Sequence, residues 1–174
     1  MLPKDYAAQD CSIARGLELV GERWTLLLLR DAFYGVCRYS DFRERLDIPK
    51  AVLAARLAAL VDSGVMEKRP APDGAGTRHE YVLTDLGKQL WPAVVALGRF
   101  GERAAPNAEG PRKHFRHLDC GGRLDAFCRC ERCGATVENP ADAEVVPGPG
   151  DRNAREDRIS RALRAPHRLL TPIA

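Results

Sequence analysis

Six residues able to hold a metal or undergo thiol chemistry crowd into twenty positions of this 174-residue chain: His114, His117, Cys120, Cys128, Cys130 and Cys133. Cys130-x-x-Cys133-Gly has the spacing of half a zinc ribbon, because two thiolates three residues apart on a tight turn can share one tetrahedral ion. His117-x-x-Cys120 can supply the other half. The candidate metal ligands are therefore His117, Cys120, Cys130 and Cys133, with Cys128 or His114 able to replace one of them. Four protein ligands leave no open coordination position, so zinc held this way is structural. The segment offers few core residues (Phe115, Leu118, Leu124, Phe127 and Val137) and needs a staple of some kind. A metal-free β-hairpin, or a disulfide from Cys120 to Cys130 or Cys133, is the alternative.

Cys11 suggests a different chemistry. It stands just before Ser12, where a helix is expected to begin. The N–H groups and dipole at a helix N-terminus stabilise a thiolate, which lowers its pKa and raises its reactivity. The competing reading is a small apolar residue packed at a subunit interface. Cys37, beside a short extended piece, reads as structural.

The elements that must position these groups follow from periodicity. Ser12 caps a helix running to about Gly21, with Ile13, Leu17 and Val20 at helical spacing. ERWTLLLLRDAF (22–33) is a second, buried helix stopped by Gly35. Residues 36–39 are extended, and Ser40 caps a third helix, DFRERL. Asp47 is the expected cap of the next helix, KAVLAARLAALVDS, with Pro49 in its first turn. VMEKRPA, PDGAG and TRHEYVL read as strand, turn and strand. Thr84 caps a last long helix, DLGKQLWPAVVALGRFGERA. APNAEGPR (105–112) reads as a linker. The arginine-rich end has a weak helical pattern around Ile159 and Leu163.

This order predicts a mainly α fold with a small β-wing, a winged helix-turn-helix, followed by a small cysteine-rich β segment resembling a zinc ribbon. The expected organisation is a DNA-binding and dimerisation domain over 1–106, the cysteine-rich segment over 107–150 and an arginine-rich tail over 151–174.

In a winged helix the second helix of the helix-turn-helix enters the major groove. At its N-terminal end, which points at the DNA, Lys50 and Arg56 are the available polar side chains, suited to a base edge or a phosphate. Ala51, Ala54 and Ala55 offer little beyond methyl contact, so part of the specificity is expected from DNA shape. Arg38, Ser40 and Arg43 are placed for phosphates, and the wing brings Lys68, Arg69 and Arg78.

Net charge is +3 and the sequence pI about 8.6, compatible with nucleic acid. No stretch approaches the ~20 apolar residues of a membrane span, and MLPKDYAAQD carries no signal-peptide core. The expectation is a cytoplasmic protein with reduced thiols. No Gly-rich phosphate loop, Ser/His/Asp arrangement or H-E-x-x-H motif suggests an enzyme.

The stretches CSIARGLELVGERWTLLLLRD, RYSDFRERL, IPKAVLAARLAALVDSGV and RHEYVLTDLG occur in a serial order that resembles the HxlR family of winged-helix regulators, from Cys11 to Gly101. The resemblance implies a homodimer joined through the first and last helices of the domain, acting on a palindromic operator. It also implies that Cys11 matches the cysteine through which several members sense oxidants, aldehydes or quinones. The chain departs from the family pattern at Ala51, Ala54 and Ala55. The expected function is that of a sequence-specific transcriptional regulator. The competing functions are a zinc- or thiol-dependent redox protein and a winged-helix adaptor that does not bind DNA.

Overall fold

A computed structural model describes residues 6, 9–71, 78–152 and 154–173. The expected turn PDGAG (72–76) lies outside the described residues. Four helices come first: α1 (Ser12–Val20), α2 (Thr25–Phe33), α3 (Tyr39–Leu46) and α4 (Lys50–Asp62). Leu28, Leu29 and Phe33 of α2 are wholly buried, whereas Leu26 is half-buried and Leu27 exposed, so the run of leucines extends beyond the buried face.

The caps differ from expectation. Cys11, not Ser12, is the N-cap residue of α1, and no side chain caps that end. Arg38 precedes α3, and Ser40 sits inside its first turn. Asp47 closes α3 in the left-handed conformation (φ 52°) instead of capping α4. Asp tolerates that region because its short polar side chain can bond locally. Pro49 stands just ahead of α4, where its missing N–H costs nothing.

Strands β1 (Met66–Pro70) and β2 (His79–Leu83) pair antiparallel, with Arg69 opposite Glu80. The Tyr81 N–H donates to the Cys37 carbonyl at 2.8 Å, so the extended piece before α3 joins the base of this wing.

Thr84 caps α5 (Asp85–Lys88) by accepting from the Gly87 N–H at 3.1 Å. The long helix expected here is broken, and α6 (Trp91–Ala104) starts afresh. Pro92 explains the break: it has no N–H for the Lys88 carbonyl and its ring clashes there. In the first turn of α6 neither defect matters.

After α6, β3 (Lys113–His117), β4 (Ala143–Pro147) and β5 (His167–Arg168) form an antiparallel sheet in that order. A single 3-10 turn, Pro140–Asp142, leads into β4. The helix α7 (Arg158–Ala162) lies between β4 and β5 and is capped by Asp157 through the Ser160 N–H.

The C-terminal chain is built into the helical part. Trp91 is fully buried between Phe33 and Phe115, with ring centroids 5.4 and 4.7 Å away. The Leu170 N–H donates to the Phe33 carbonyl at 2.8 Å, and Arg158 is ion-paired with Asp41. Among the described residues no helix is long and apolar enough to cross a membrane.

Candidate nucleic-acid interface and metal centre

The helix-turn-helix is α3 and α4. The Tyr39 hydroxyl donates to the Lys50 carbonyl at 2.9 Å and ties the two helix starts together. Leu53, Leu57 and Leu60 bury one face of α4. Lys50, Ala51, Ala54 and Ala55 are exposed on the rest. Ser40, Arg43 and Lys50 line one cleft beside the α3–α4 turn, and Arg38 is half-buried at the start of α3.

Arg56 is also half-buried. Its guanidinium lies 3.7 Å from the Glu22 carboxylate, on the flank of α4 that meets the α1–α2 connection. Lys68, Arg69 and Arg78 are exposed on the wing. Arg69 faces Glu80 across the ladder at 3.5 Å. Glu80 is buried, and an ionised carboxylate there requires a partner. Arg69 therefore serves the wing's own stability as well as its surface charge.

One cation escaped the sequence reading. Arg155, from the segment before α7, lines the same cleft as Ser40, Arg43 and Lys50. Its guanidinium donates to the Glu44 carbonyl at 2.7 Å. No local pattern could have revealed it, since the two residues are 111 positions apart.

Apolar side chains on α1 and α6 remain uncovered. Ile13 is 73% exposed and Phe100 66%, and Leu17, Leu19 and Leu97 are about half exposed. Cys11 is exposed at the start of α1.

The four sequence-predicted metal ligands converge. One ligand atom each from His117, Cys120, Cys130 and Cys133 fits within a 4.8 Å span. His117 Nδ1 is 3.5 Å from Cys120 Sγ and 3.4 Å from Cys133 Sγ, and Cys120 Sγ is 3.4 Å from Cys130 Sγ. Tetrahedral zinc, with bonds of about 2.3 Å to sulfur and about 2.0 Å to nitrogen, sets its ligands about 3.5–3.8 Å apart. The donor set fits such an ion in number, type and spacing. All six cysteines are free thiols, so the disulfide alternatives are not formed.

Two matching turns build the cluster. In the first, the Gly121 N–H donates to the His117 carbonyl at 2.8 Å, and in the second the Gly134 N–H donates to the Cys130 carbonyl at 2.9 Å. Each glycine has φ near +70°, a conformation that side chains disfavour. Backbone N–H groups of Cys133 and Arg132 stabilise the Cys130 thiolate and, against burial, lower its pKa to about 6. The Gly122 N–H does the same for Cys120, but the hydrogen bond with Cys130 and burial outweigh it and raise that thiol's pKa. Two thiols in contact cannot both ionise cheaply without a cation between them. At the other ring nitrogen of His117, Nε2, stands Asp119 at 3.6 Å, placed to orient a ligating imidazole.

His114 and Cys128 lie outside the cluster. Cys128 is buried, and burial pushes its thiol pKa up to about 11. Cys37 is likewise held at about 11 by burial and by Glu80.

The helical part and its wing match the family model described as HxlR-like helix-turn-helix over residues 19–109, half of the chain. This chain belongs to the HxlR-like helix-turn-helix family. HxlR-like proteins of this kind are winged-helix transcriptional regulators. A relative in Mycobacterium tuberculosis, the uncharacterized HTH-type transcriptional regulator Rv3095, is 42% identical over 139 residues, covering 80% of this chain and 87% of its own. YtfH of Escherichia coli, also an HTH-type transcriptional regulator, is 32% identical over 100 residues, covering 57% of this chain and 79% of its own. Among solved structures, PA1607, described as a candidate transcription factor, superposes with a TM-score of 0.59 at 32% identity. That match covers 85% of this chain and 96% of PA1607, so it extends beyond the winged helix. The redox regulator HypR in its reduced form shares the fold, with a TM-score of 0.51 at 24% identity over 55% of this chain and 95% of HypR.

Proposed function

We propose that this HxlR-like regulator binds a palindromic operator as a homodimer and that its dimer faces are α1 and α6. The observation that carries this reading is the grouping of Ser40, Arg43 and Lys50 in one cleft at the helix-turn-helix, beside a wing bearing Lys68, Arg69 and Arg78. Arg38 and Arg155 extend the phosphate-facing surface, and Arg56 reaches a base at the edge of the groove once released from Glu22. The exposed Ile13, Leu17, Leu19 and Phe100 are too apolar to face water as a group and suit a second copy.

His117, Cys120, Cys130 and Cys133 hold structural Zn2+ in this reading. Zinc bonded to all four would pin the two turns together and keep the thiols deprotonated. Cys11, exposed at the start of a dimer-forming helix, is the candidate thiol switch.

The test uses the purified full chain and the DNA upstream of its own gene. Retarded migration of that duplex, resistant to excess unrelated DNA, is expected, together with a dimeric mass by light scattering at micromolar concentration. A monomer that shifts no duplex at low salt would leave the adaptor reading in its place.

A further inference from the structure

A cavity of about 410 Å³ lies where α2, α6 and β3 meet. Leu27 of α2, Leu97 of α6, and Phe115 and Leu124 of the cysteine-bearing segment give it apolar walls. Its volume falls within the about 300–1,000 Å³ typical of small-molecule sites.

The charges around it are unbalanced. Five cations (Arg30, Arg45, Arg99, Arg112 and Lys113) share the lining with two carboxylates. Asp151 takes Lys113 at 2.6 Å and Glu102 takes Arg112 at 3.1 Å. Arg30 and Arg45 both depend on one oxygen of the buried Asp31, at 2.8 and 3.1 Å. Arg99 makes no ion pair among the described residues, although its charge reaches Asp125 and His114. His114 Nδ1 is buried without a hydrogen-bond partner. Burial and the nearby Arg123, Arg116 and Arg99 hold the pKa of His114 below its usual value, so its imidazole is neutral and can still donate one hydrogen bond.

We propose that this cavity binds a small amphipathic carboxylate, with its apolar body between Leu27, Leu97 and Phe115 and its acid group toward Arg99 and His114. An apolar wall with a surplus of cations selects for that pairing of body and head. A neutral ligand would leave Arg99 without an ion pair, and a cationic one would be repelled. Arg45 belongs to α3 and lines the same cavity, so occupancy bears on the helix that precedes the DNA-reading one. That last consequence rests on the DNA-binding reading, whereas the site itself does not.

Isothermal titration of the full chain with 4-phenylbutyrate and octanoate, against 4-phenylbutyramide as the uncharged control, tests the site. Saturable binding at one ligand per chain is expected, with the carboxylates at least about tenfold tighter than the amide. Arg99→Gln should remove about that preference and leave amide binding unchanged. Gly98→Trp should abolish binding of both, because Gly98 lines the cavity and a Cβ there meets open space. That variant is expected to fold, since glycine is a poor residue inside a helix, and circular dichroism checks it. Equal affinity for acid and amide, or unchanged binding in a folded Gly98→Trp, overturns the proposal. So does carboxylate affinity that rises on dilution as a dimer dissociates, because the cavity would then be the seat of a second copy. Carboxylate binding by a chain that shifts no duplex keeps the site and removes the regulator reading.

Discussion

Arg45 in α3 donates a hydrogen bond to the Ser160 hydroxyl in α7 at 2.9 Å, across 115 positions of sequence, and both side chains are buried. The same guanidinium donates through Nε to Asp31 of α2 at 3.1 Å. Ser160 in turn donates to Asp157 at 2.6 Å. This chain of bonds fastens the last helix to the first helix of the helix-turn-helix.

Breaking it should be costly. Asp31 has no exposed surface, and a buried charge left with no partner costs about 3–5 kcal/mol, but Arg30 stays on the same Asp31 oxygen at 2.8 Å. Arg45→Ala, which removes the bonds to Asp31 and Ser160 and leaves that pair in place, is expected to lose about 1–3 kcal/mol of stability in urea unfolding. A loss no larger than that of an exposed arginine on α4 or the wing would show that the network is solvent-screened.

Much of the helix-turn-helix and wing was legible in the sequence, because leucine periodicity and the capping Thr84 are local signals. The caps of α1, α3 and α4 were misplaced by a residue or two: Cys11, Arg38 and Pro49 hold the N-cap positions, and no side chain caps any of these three ends. The break at Pro92 was visible in principle but overridden by the continuous apolar pattern on both sides. The His117/Cys120/Cys130/Cys133 set was readable from spacing alone. The placement of Arg155 beside Lys50, and of Ser160 beside Arg45, was not, because such pairs depend on a chain reversal that no window of sequence contains.

If the cluster of His117, Cys120, Cys130 and Cys133 holds zinc as proposed, the protein has a measurable composition. Protein purified without chelator should carry close to one equivalent of zinc by elemental analysis. Cys130→Ser with Cys133→Ser should lose it and loosen the region after residue 112, read by hydrogen exchange, while the winged helix keeps its protection. Less than about a tenth of an equivalent of zinc in the unaltered chain would restore the metal-free hairpin.

Cys11 is expected to govern any thiol response. Diamide or a quinone should release the protein from its operator, and Cys11→Ser should abolish the release. Cys37 and Cys128 are poor competitors, because burial holds both thiols near pKa 11 and leaves little thiolate at neutral pH. Equal release in both proteins would move the sensor to the cluster in 120–133, and no release in either would remove the switch.

Base reading and backbone contact should separate by mutation. Arg56→Ala is expected to weaken operator binding by about 1–3 kcal/mol with little effect on unrelated duplex. Arg78→Ala should weaken both alike. Glu22→Ala, which frees Arg56 from its partner on the α1–α2 connection, should leave operator affinity equal or higher. An Arg56→Ala protein with unchanged operator affinity would take that residue out of the readout.

The most direct test of the central claim is the salt dependence of duplex binding, followed by fluorescence anisotropy with an operator duplex and a scrambled one. Cations gathered at the helix-turn-helix cleft and wing should release counterions, giving a log–log slope of Kd against salt corresponding to about four to eight phosphate contacts per dimer. The operator should also remain the tighter duplex at every salt concentration. A flat salt dependence, or equal affinity for the operator and its scrambled version, would contradict a sequence-specific DNA-binding regulator.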